Sequence, residues 1–314
     1  MKINRVGNYN TGFKYYKNKK EITNEDDIEK IRLLKIPPAY ENVTIINNKK
    51  IIAYGYDSKN RKQVLYNPSF IAKQNAKKYN KIAASVNIFT KLKKKIAADL
   101  NSDDEKIKAI AIIITLILTC GFRIGNKKYE KANNSVGLTT LKYKHLKFEN
   151  DNKILIDFVG KKGVRNTAYC DNSKIYEYLH NKYRKSAGSE EYVFTYGDGY
   201  AKIITSSDVN EYLKINSNLY SKDDSIVITT KDLRTWNANT LFIIYYKKLR
   251  KRKDAVAAGA AAGAVDEGKR DKDNKKDIKR AIEMVAEKLH NTYSICKKSY
   301  IDPEIIANAE KQIK

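Results

Sequence analysis

Basic residues in two distant segments of the chain could together bind a phosphate group. Arg123 follows the longest uncharged apolar run, residues 109–122, so its stem would lie in apolar surroundings with its fork free to bind one anion. Lys231 and Arg234 are one helical turn apart, which predicts that both lie on one face of a helix. Guanidinium and ammonium groups of this kind would suit a site for phosphoryl chemistry.

Three further residues extend this set along the chain. Lys161 lies in Gly160-Lys161-Lys162-Gly163, a predicted hairpin tip, Asn291 follows a predicted helix, and Tyr300 comes last. Each also has an ordinary interpretation, because lysine suits a turn, asparagine commonly ends a helix, and Tyr300 is one of 23 tyrosines. The order of all six residues, rather than any single one, indicates a catalytic site.

The charge balance predicts a polyanionic partner. The 314 residues include 62 Lys+Arg and 36 Asp+Glu, which gives a net charge of +26. Nucleic acid is the first candidate and an anionic membrane surface the second. An AT-rich coding sequence would explain many lysines, since Asn and Ile are also plentiful, but not the shortage of acidic residues. The hydrophobic fraction of 42% excludes disorder throughout.

The cysteines indicate neither a metal site nor a secreted protein. Cys120, Cys170 and Cys296 lie far apart, without a C-x-x-C motif or a Cys/His cluster, so we expect no metal and no cofactor. An odd, unpatterned count is typical of an intracellular, reducing compartment. We expect no secretory signal and no membrane span, because the run 109–122 is too short for a bilayer core of about 30 Å.

The first 75 residues predict a small, mainly β domain. A strand is predicted at 12–16, followed by a helix that Thr23 or Asn24 would cap and that Pro37-Pro38 would end. Alternating residues and two turns then predict a β-meander over 43–66.

From Ser69 the hydrophobic period becomes helical. One helix is predicted from apolar residues spaced 4, 3, 3 and 4 apart, namely Ile82, Val86, Phe89, Leu92 and Ile96. Ser102 to Glu105 predicts a capping box before the apolar run. Residues 153–170 predict a hairpin, and helices are expected at 232–250, at 273–289 and after Pro303. We therefore predict an α+β fold in which residues 76–314 form a larger, mainly α catalytic domain with a small sheet.

Residues 250–272 differ in composition from the rest of the chain. A basic run is followed by alanines and glycines at 255–265 and then by mixed charges. Because the stretch is of low complexity and has no apolar period, it predicts a solvated connector that can be helical in part.

The six ordered residues and the short motifs around them resemble those of the type IB DNA topoisomerases of poxviruses and bacteria. The motifs that match are Gly137-Leu138-Thr139-Thr140-Leu141 with His145 after it, Phe158-Val159-Gly160-Lys161, Lys231-Asp232-Leu233-Arg234-Thr235 and Lys297-Lys298-Ser299-Tyr300. In the first domain, Asp57-Ser58-Lys59-x-Arg61-x-Gln63 with Asn75-Ala76-Lys77 resembles the family's small-domain signature. The resemblance covers roughly residues 35–310.

This chain departs from the poxvirus pattern at one position and in one segment. Asn291 stands where poxvirus members have histidine, and bacterial members can carry asparagine there, so the adjacent His290 is not expected to be catalytic. The alanine-rich stretch has no counterpart in the family.

The resemblance implies relaxation of supercoiled DNA by transient cleavage of one strand, without ATP or an obligatory metal. Tyr300 would attack a phosphodiester and form a 3′-phosphotyrosyl link. Arg123 and Arg234 would bind the non-bridging oxygens, and Lys231 would add charge or relay a proton.

Two residues would complete the implied chemistry. Asn291 would donate a neutral hydrogen bond to a phosphate oxygen. Lys161 would protonate the leaving 5′-oxygen, which requires that the neighbouring cations lower its pKa.

The same resemblance implies residues that contact double-stranded DNA. These are Gln63 and Tyr66 in the small domain, Asn126, Lys128 and Tyr129 on a helix facing the major groove, and Lys297 beside Tyr300. The protein is expected to close around a duplex as a monomer, with residues 1–75 as one half of the clamp. If the source is a large DNA virus, its compartment would include the virion or the viral factory.

Two other functions fit part of the pattern. A tyrosine recombinase shares this chemistry but usually has H-x-x-R and a helical first domain, whereas this chain has Lys231-x-x-Arg234 and a β-rich start. A non-catalytic basic DNA-binding protein would account for the charge but not for the ordered residues.

Overall fold

The structure is a computed structural model that describes residues 2–149, 152–186, 188–197, 201–221, 226–259 and 267–311. Side chains are described for all of these residues except 252–259 and 267–270, where only the backbone is described. The chain divides into two compact units, Met1–Lys81 and Ile82–Lys314.

The first unit contains a six-stranded antiparallel sheet, one helix between its strands and most of the helix that follows the last strand. In chain order its elements are β1 (Ile3–Asn8), β2 (Gly12–Lys17), β3 (Lys20–Glu21), α1 (Glu25–Arg32), β4 (Glu41–Ile45), β5 (Ile51–Tyr56) and β6 (Lys62–Tyr66). The strand order is β3-β2-β1-β4-β5-β6. The sequence did not predict β1, which pairs with both β2 and β4 and so joins the first predicted strand to the meander.

Arg5 organises the loop between α1 and β4. Its guanidinium is buried and donates hydrogen bonds to the carbonyl oxygens of Ile36, Pro37, Pro38 and Tyr40 at 2.6–3.5 Å. Asn24 caps α1 as predicted, by accepting from the Asp27 amide at 3.0 Å. The predicted end at Pro37-Pro38 is wrong, because α1 ends at Arg32 and the chain adopts a positive φ of 50° at Lys35.

The second unit is mainly helical and carries two small sheets. Its helices, with the one that leads into it, are α2 (Pro68–Ala84), α3 (Val86–Asp99), α4 (Glu105–Thr119), α5 (Lys127–Asn133), α6 (Ser173–Lys185), α7 (Ser206–Tyr220), α8 (Thr230–Gly259), α9 (Glu267–Lys288), α10 (Tyr293–Ser299) and α11 (Pro303–Lys311). Its strands are β7 (Leu146–Phe148), β8 (Ile154–Val159), β9 (Arg165–Cys170), β10 (Thr195–Tyr196) and β11 (Lys202–Ile203). This composition confirms the predicted α+β fold.

Helix α4 lies at the centre of the larger core. Its residues Ala109 to Ile114 are all at most 3% exposed, which explains why the sequence carries no polar face there. Its N-terminus is capped by Asp104, which accepts from the Ile107 amide at 2.9 Å, and not by the capping box predicted from Ser102.

The single helix predicted through Ile82 and Ile96 is two helices. The helix is interrupted at Ser85, which has non-helical backbone angles (φ −97°, ψ 7°). Val86 is therefore 50% exposed, while Phe89, three residues later, is buried. The predicted apolar spacing holds within α3 but not across the break.

A second core holds the last helices together. Buried side chains of α8 (Ala238, Phe242), α9 (Ala281, Ile282, Val285) and the segment 296–309 (Cys296, Ile301, Ile306) form one apolar cluster. This cluster fixes the segment that contains Tyr300.

The described ends of the alanine-rich stretch are helical. Residues 250–259 continue α8 and residues 267–272 begin α9, whereas 260–266 lie outside the described residues. Within the described parts of the chain, no helix is both long enough and apolar enough to span a membrane.

Candidate active site

A tightly fixed loop after α4 presents Arg123. The backbone at Gly121 has φ +70°, and a side chain there would collide with the carbonyl oxygen of Lys288, so this position requires glycine. Gly125 has φ +83° and packs directly against Gly137, where a Cβ would lie 2.8 Å from the Gly137 Cα. The Leu138 amide donates to the Arg123 carbonyl at 3.0 Å. These contacts hold the Arg123 backbone in one position.

Arg234 is buried in the first turns of α8 and ties this loop to the end of α9. Its guanidinium donates to the carbonyl oxygens of Gly121 and Phe122, the latter at 2.8 Å, and to that of Leu289 at 3.2 Å. Burial lowers the pKa of Arg234, while the neighbouring Tyr300 opposes that change. Its Nε is buried and finds no acceptor among the described residues.

Asn291 lies in direct contact with Arg123. The Arg123 Nη2 donates to Asn291 Oδ1 at 2.6 Å, and Asn291 Nδ2 donates to the Leu289 carbonyl at 3.2 Å. Residues 123 and 291 are 168 positions apart in the chain. The contact therefore depends on the tertiary packing of α9 against the loop after α4.

His290 has a different environment from its neighbour Asn291. Its Nε2 donates to the Cys120 carbonyl at 2.9 Å, and its ring stacks on Phe122 at 5.1 Å between centroids. Burial lowers the pKa of His290, and Arg234 and Arg123 lower it further. A neutral ring stacked in this way supports the loop that carries Arg123.

Tyr300 ends α10 and faces both arginines. The Arg234 guanidinium carbon lies 5.5 Å from the centre of the Tyr300 ring. Burial by itself would raise the pKa of Tyr300, but attraction and hydrogen bonds from Arg234 and Arg123 outweigh it, so the pKa lies below its ordinary value. Arg123, Arg234, Asn291 and Tyr300 together are called the tyrosine cluster.

Asn239 positions the backbone at Tyr300 and was not predicted. Its Nδ2 donates to the Tyr300 carbonyl at 3.0 Å, and its Oδ1 accepts from the Asp302 amide at 2.8 Å. The side chain is 5% exposed. An asparagine within the apolar part of a helix was the signal that could have indicated this role, since buried amides need partners.

The two predicted catalytic lysines lie outside the tyrosine cluster. Lys161 is exposed in the turn Lys161–Gly163 at the tip of the β8–β9 hairpin. Lys231 is exposed, although Arg234, three residues later on α8, is buried. Among the described residues, neither lysine forms a hydrogen bond or ion pair with a member of the tyrosine cluster.

The stem of the hairpin is braced below Lys161. Arg165 donates through Nε and Nη2 to both carboxylate oxygens of Asp157 at 2.5–3.2 Å, and the Thr167 hydroxyl donates to the same carboxylate at 2.9 Å. These bonds cross between β8 and β9, so they stiffen the stem while the tip remains exposed.

The predicted DNA-contact residues of the second unit are mostly at the surface. Lys128 is exposed, Tyr129 is 64% exposed, and Lys297 is exposed with its ammonium 6.0 Å from the Tyr293 ring. Asn126 instead caps α5 by accepting from the Lys128 amide at 2.8 Å, and it donates to Ser206 Oγ at 3.3 Å. Its side chain therefore orients the helix that presents Lys128 and Tyr129.

In the first unit, contacts of Asp57 account for the spacing of Asp57, Arg61 and Gln63 in the small-domain signature. Its carboxylate accepts from Gln63 Nε2 at 2.9 Å and from Arg61 Nη2 at 2.8 Å. Hydrogen bonds from the Arg61 side chain lower the pKa of Asp57 to about 2. Tyr66, on the same strand as Gln63, is 38% exposed and stacks on Phe70 at 5.6 Å.

Known proteins similar to this chain were found over nearly its whole length. The family described as "Eukaryotic DNA topoisomerase I, catalytic core" matches residues 60–314, and "Bacterial DNA topoisomerase IB, N-terminal domain" matches residues 12–57. The DNA topoisomerase 1B of Acanthamoeba polyphaga mimivirus is 32% identical over 301 residues, which are 91% of this chain and 81% of that protein. The DNA topoisomerase I of monkeypox virus and the DNA topoisomerase 1B of vaccinia virus (strain Copenhagen) are each 26% identical over 286 residues, which are 88% of this chain and 80% of theirs. The catalytic-core match covers most of the sequence, and so the chain belongs to the eukaryotic-type DNA topoisomerase I family of type IB enzymes.

Proposed function

We propose that this protein relaxes supercoiled DNA by cutting one strand transiently, with Tyr300 as the nucleophile. The observation that carries the proposal is the contact of the Tyr300 phenol with Arg123 and Arg234, two guanidinium groups from distant segments that lower its pKa. Neither apolar packing nor a surface role for Tyr300 requires two arginines at its hydroxyl.

The reaction is an exchange of ester bonds at phosphorus. The Tyr300 Oη forms a bond to the scissile phosphorus as the bond to the 5′-oxygen breaks, leaving a 3′-phosphotyrosyl link. A free phenol has a pKa of about 10, so the positive surroundings of Tyr300 make its oxygen more available at neutral pH. Because the link keeps the energy of the broken bond, the 5′-hydroxyl reseals the strand without ATP.

The two arginines and Asn291 stabilise the charge that grows on the phosphate. Arg234 is held by backbone carbonyls but keeps one buried Nε without an acceptor among the described residues, and so it has a donor left for a non-bridging oxygen. Arg123 is oriented by Asn291 at 2.6 Å. The Asn291 amide then donates to a phosphate oxygen as a neutral group.

Lys161 protonates the leaving 5′-oxygen, and Lys231 contributes positive charge or relays the proton. Both side chains are exposed, so we propose that DNA binding brings them to the phosphate. The positive-φ residues Lys162 (64°) and Gly163 (73°) form the turn that carries Lys161. A proton from Lys161 would neutralise the 5′-oxygen as its bond to phosphorus breaks.

Duplex DNA is bound through both units of a monomer. A net charge of +26 supplies non-specific affinity for the phosphate backbone. Exposed Lys128, Tyr129 and Lys297 contact DNA from the second unit, and Gln63 and Tyr66 from the first.

A plasmid assay tests this function directly. Supercoiled plasmid incubated in EDTA without ATP should be relaxed by the wild-type protein and not by Tyr300→Phe. Tyr293→Phe, which removes a hydroxyl from the same helix, is the matched control and should retain activity. A substrate whose downstream fragment, which carries the freed 5′-hydroxyl, diffuses away after cleavage should trap a covalent adduct on the peptide that contains Tyr300. Full activity of Tyr300→Phe, or an adduct on another residue, would contradict the proposal.

A further inference from the structure

A buried amide lies beneath the exposed hairpin tip that carries Lys161. Asn166 on β9 is 2% exposed, although its chain neighbours Arg165 and Thr167 are both exposed. Its Nδ2 donates to the carbonyl oxygen of Val164 at 2.7 Å. Burying an amide costs free energy unless it is hydrogen-bonded, so the place of the Asn166 side chain is tied to that of the Val164 carbonyl.

The same carbonyl closes the turn at the tip. The Val164 oxygen also accepts from the Gly160 amide at 2.8 Å, and the Gly163 amide donates to the Gly160 carbonyl at 3.1 Å. A carbonyl oxygen has two lone pairs, and here one meets a backbone amide and the other the Asn166 side chain. Asn166 therefore takes part in joining the two ends of the turn that carries the proposed general acid.

Gly160 packs directly on the buried amide. A Cβ at residue 160 would lie 2.5 Å from Asn166 Nδ2, which is too close for a real contact. The backbone at Gly160 has φ −100°, which any residue can adopt, so the amide and not the backbone conformation requires glycine here. The amide cannot move aside without losing its bond to Val164. Gly160, Val164 and Asn166 therefore determine one backbone arrangement for the residues between them.

The end of β8 is tied to the loop that presents Arg123. The Val136 amide donates to the Val159 carbonyl at 3.0 Å, and two residues later the Leu138 amide donates to the Arg123 carbonyl at 3.0 Å. One short segment thus holds both the strand and the loop. Lys161 lies only two residues beyond Val159, so its backbone is placed relative to the tyrosine cluster by this segment and by the closed turn.

We propose that Asn166 is a positioning residue for Lys161, because its buried amide fixes the backbone from which the exposed lysine side chain reaches the scissile phosphate. Asn166 acts through Lys161 and not on the DNA itself. Its loss should therefore slow only the event that needs a proton, the departure of the 5′-oxygen. This inference rests on the proposed role of Lys161 as the general acid.

The experiment measures single-turnover cleavage by the full-length protein of two DNA substrates that differ only in the leaving atom, 5′-oxygen or 5′-sulfur. Sulfur departs as a thiolate with the electron pair of the P–S bond and needs no proton, since a thiol has a pKa of only about 8.5. Asn166→Asp keeps the size of the side chain but removes the donor, and Asn166→Ala removes both. Each should cleave the oxygen substrate about tenfold more slowly, since misplacing a catalytic group by an ångström costs up to about a hundredfold. Each should cleave the sulfur substrate at close to the wild-type rate.

Three further variants sharpen the test. Gly160→Ala displaces the amide from its other side and should show the same selective loss, which keeps the proposal testable if the Asn166 variants do not fold. Thr167→Val removes the neighbouring hydroxyl that bonds to Asp157 in the stem, and as the matched control it should cleave both substrates at close to the wild-type rate. The double variant Lys161→Ala/Asn166→Ala should be no slower than Lys161→Ala, because effects that act through one group do not add.

The outcomes separate this inference from the proposed function. Equal slowing on both substrates in the folded variants, no slowing on either, or additive slowing in the double variant overturns the positioning role of Asn166. If the sulfur substrate restores the rate of Lys161→Ala but not that of the Asn166 and Gly160 variants, only the inference fails. If it does not restore the rate of Lys161→Ala, the role of Lys161 as general acid is wrong, and the inference fails with it.

Discussion

The tyrosine cluster and the hairpin tip differ in how much of their geometry exists before DNA is bound. In the cluster, Arg234 is 4% exposed and held by three backbone carbonyls, and Arg123 is fixed by Asn291. At the tip, Lys161 is exposed above a stem that Asp157 and Arg165 brace. Under the proposed mechanism, the groups that stabilise transition-state charge are therefore preorganised, whereas Lys161, the proposed general acid, reaches the phosphate only when DNA is bound.

This contrast has a physical basis in burial. A guanidinium remains charged when buried, so it can be built into the core between the start of α8 and the end of α9 if carbonyls satisfy it. A lysine that must give up a proton needs neighbouring cations at the moment of reaction, and the bound phosphate complex supplies that setting. In the proposed mechanism, an exposed position keeps Lys161 away from the like charges of Arg123 and Arg234 until DNA is bound.

The largest effect is expected for Arg234→Ala. Single-turnover cleavage should slow by about a hundredfold to a thousandfold, which is the cost of losing one preorganised donor to an oxyanion. The melting temperature should fall as well, because the carbonyls of Gly121, Phe122 and Leu289 lose their partner. Arg234→Lys, which keeps the charge but not the fork, should remain strongly impaired. A cleavage rate close to wild type in either variant would show that the cluster is not preorganised for catalysis.

Lys161→Ala should slow cleavage by about a hundredfold or more without lowering the melting temperature, since general acids contribute at least that factor. The diagnostic test replaces the leaving 5′-oxygen by sulfur, which departs without protonation. That substrate should restore the rate of Lys161→Ala but not that of Arg234→Ala. Lys162→Ala, at the neighbouring exposed lysine, is the control. Failure of the sulfur substrate to separate the two variants would remove the distinction between the tip and the cluster.

A smaller effect is expected at Asn291. Asn291→Ala removes the acceptor of Arg123 Nη2 and one neutral donor, so cleavage should slow by about tenfold, the value of roughly one hydrogen bond to a charged group. Asn291→His should retain more activity, because an imidazole can also donate to a phosphate oxygen. His290→Asn tests the neighbouring position and should act mainly on the melting temperature, through its bond to Cys120. The opposite ranking of these variants would exchange the roles given to residues 290 and 291.

The smallest effect is a shift in the ionisation of Tyr300. Since Arg234 and Arg123 favour the phenolate, Tyr300 should titrate below the ordinary value of about 10, and Arg123→Ala should raise its pKa. The sign for stability follows from the lowered folded-state pKa: the ionised group stabilises the fold at pH above the unfolded value, and this contribution is lost as pH falls through the folded pKa. Difference absorbance of wild type against Tyr300→Phe measures the titration. An unshifted or raised pKa would mean that the arginines do not act on the phenol.

Local features of this chain followed from the sequence, and long-range ones did not. The meander, the hairpin and the cap at Asn24 depend on neighbouring residues, so their patterns were readable. Strand β1 was missed because it is stabilised by pairing with β2 and β4 rather than by its own alternation. The break at Ser85 was missed because the helical spacing of apolar residues is the same on both sides of it.

The candidate site divides in the same way. The order of its residues, and the resemblance that this order supports, indicated Arg123, Lys161, Lys231, Arg234, Asn291 and Tyr300. Spacing alone put Lys231 and Arg234 together, yet one is exposed and the other buried, because the surroundings of α8 decide which side of a helix is covered. Asn239 became visible only once its amide was seen to join Thr235, Tyr300 and Asp302.

By itself, the sequence determined many of the helices and strands, the excess of positive charge and the family to which the residues of the site belong. Only the tertiary structure decided that Arg123 and Asn291, 168 positions apart, touch, and that two guanidinium groups meet one phenol. The reason is that local structure depends on short-range sterics and hydrogen bonds, whereas these contacts exist only when α4, α8, α9 and α10 pack around shared cores.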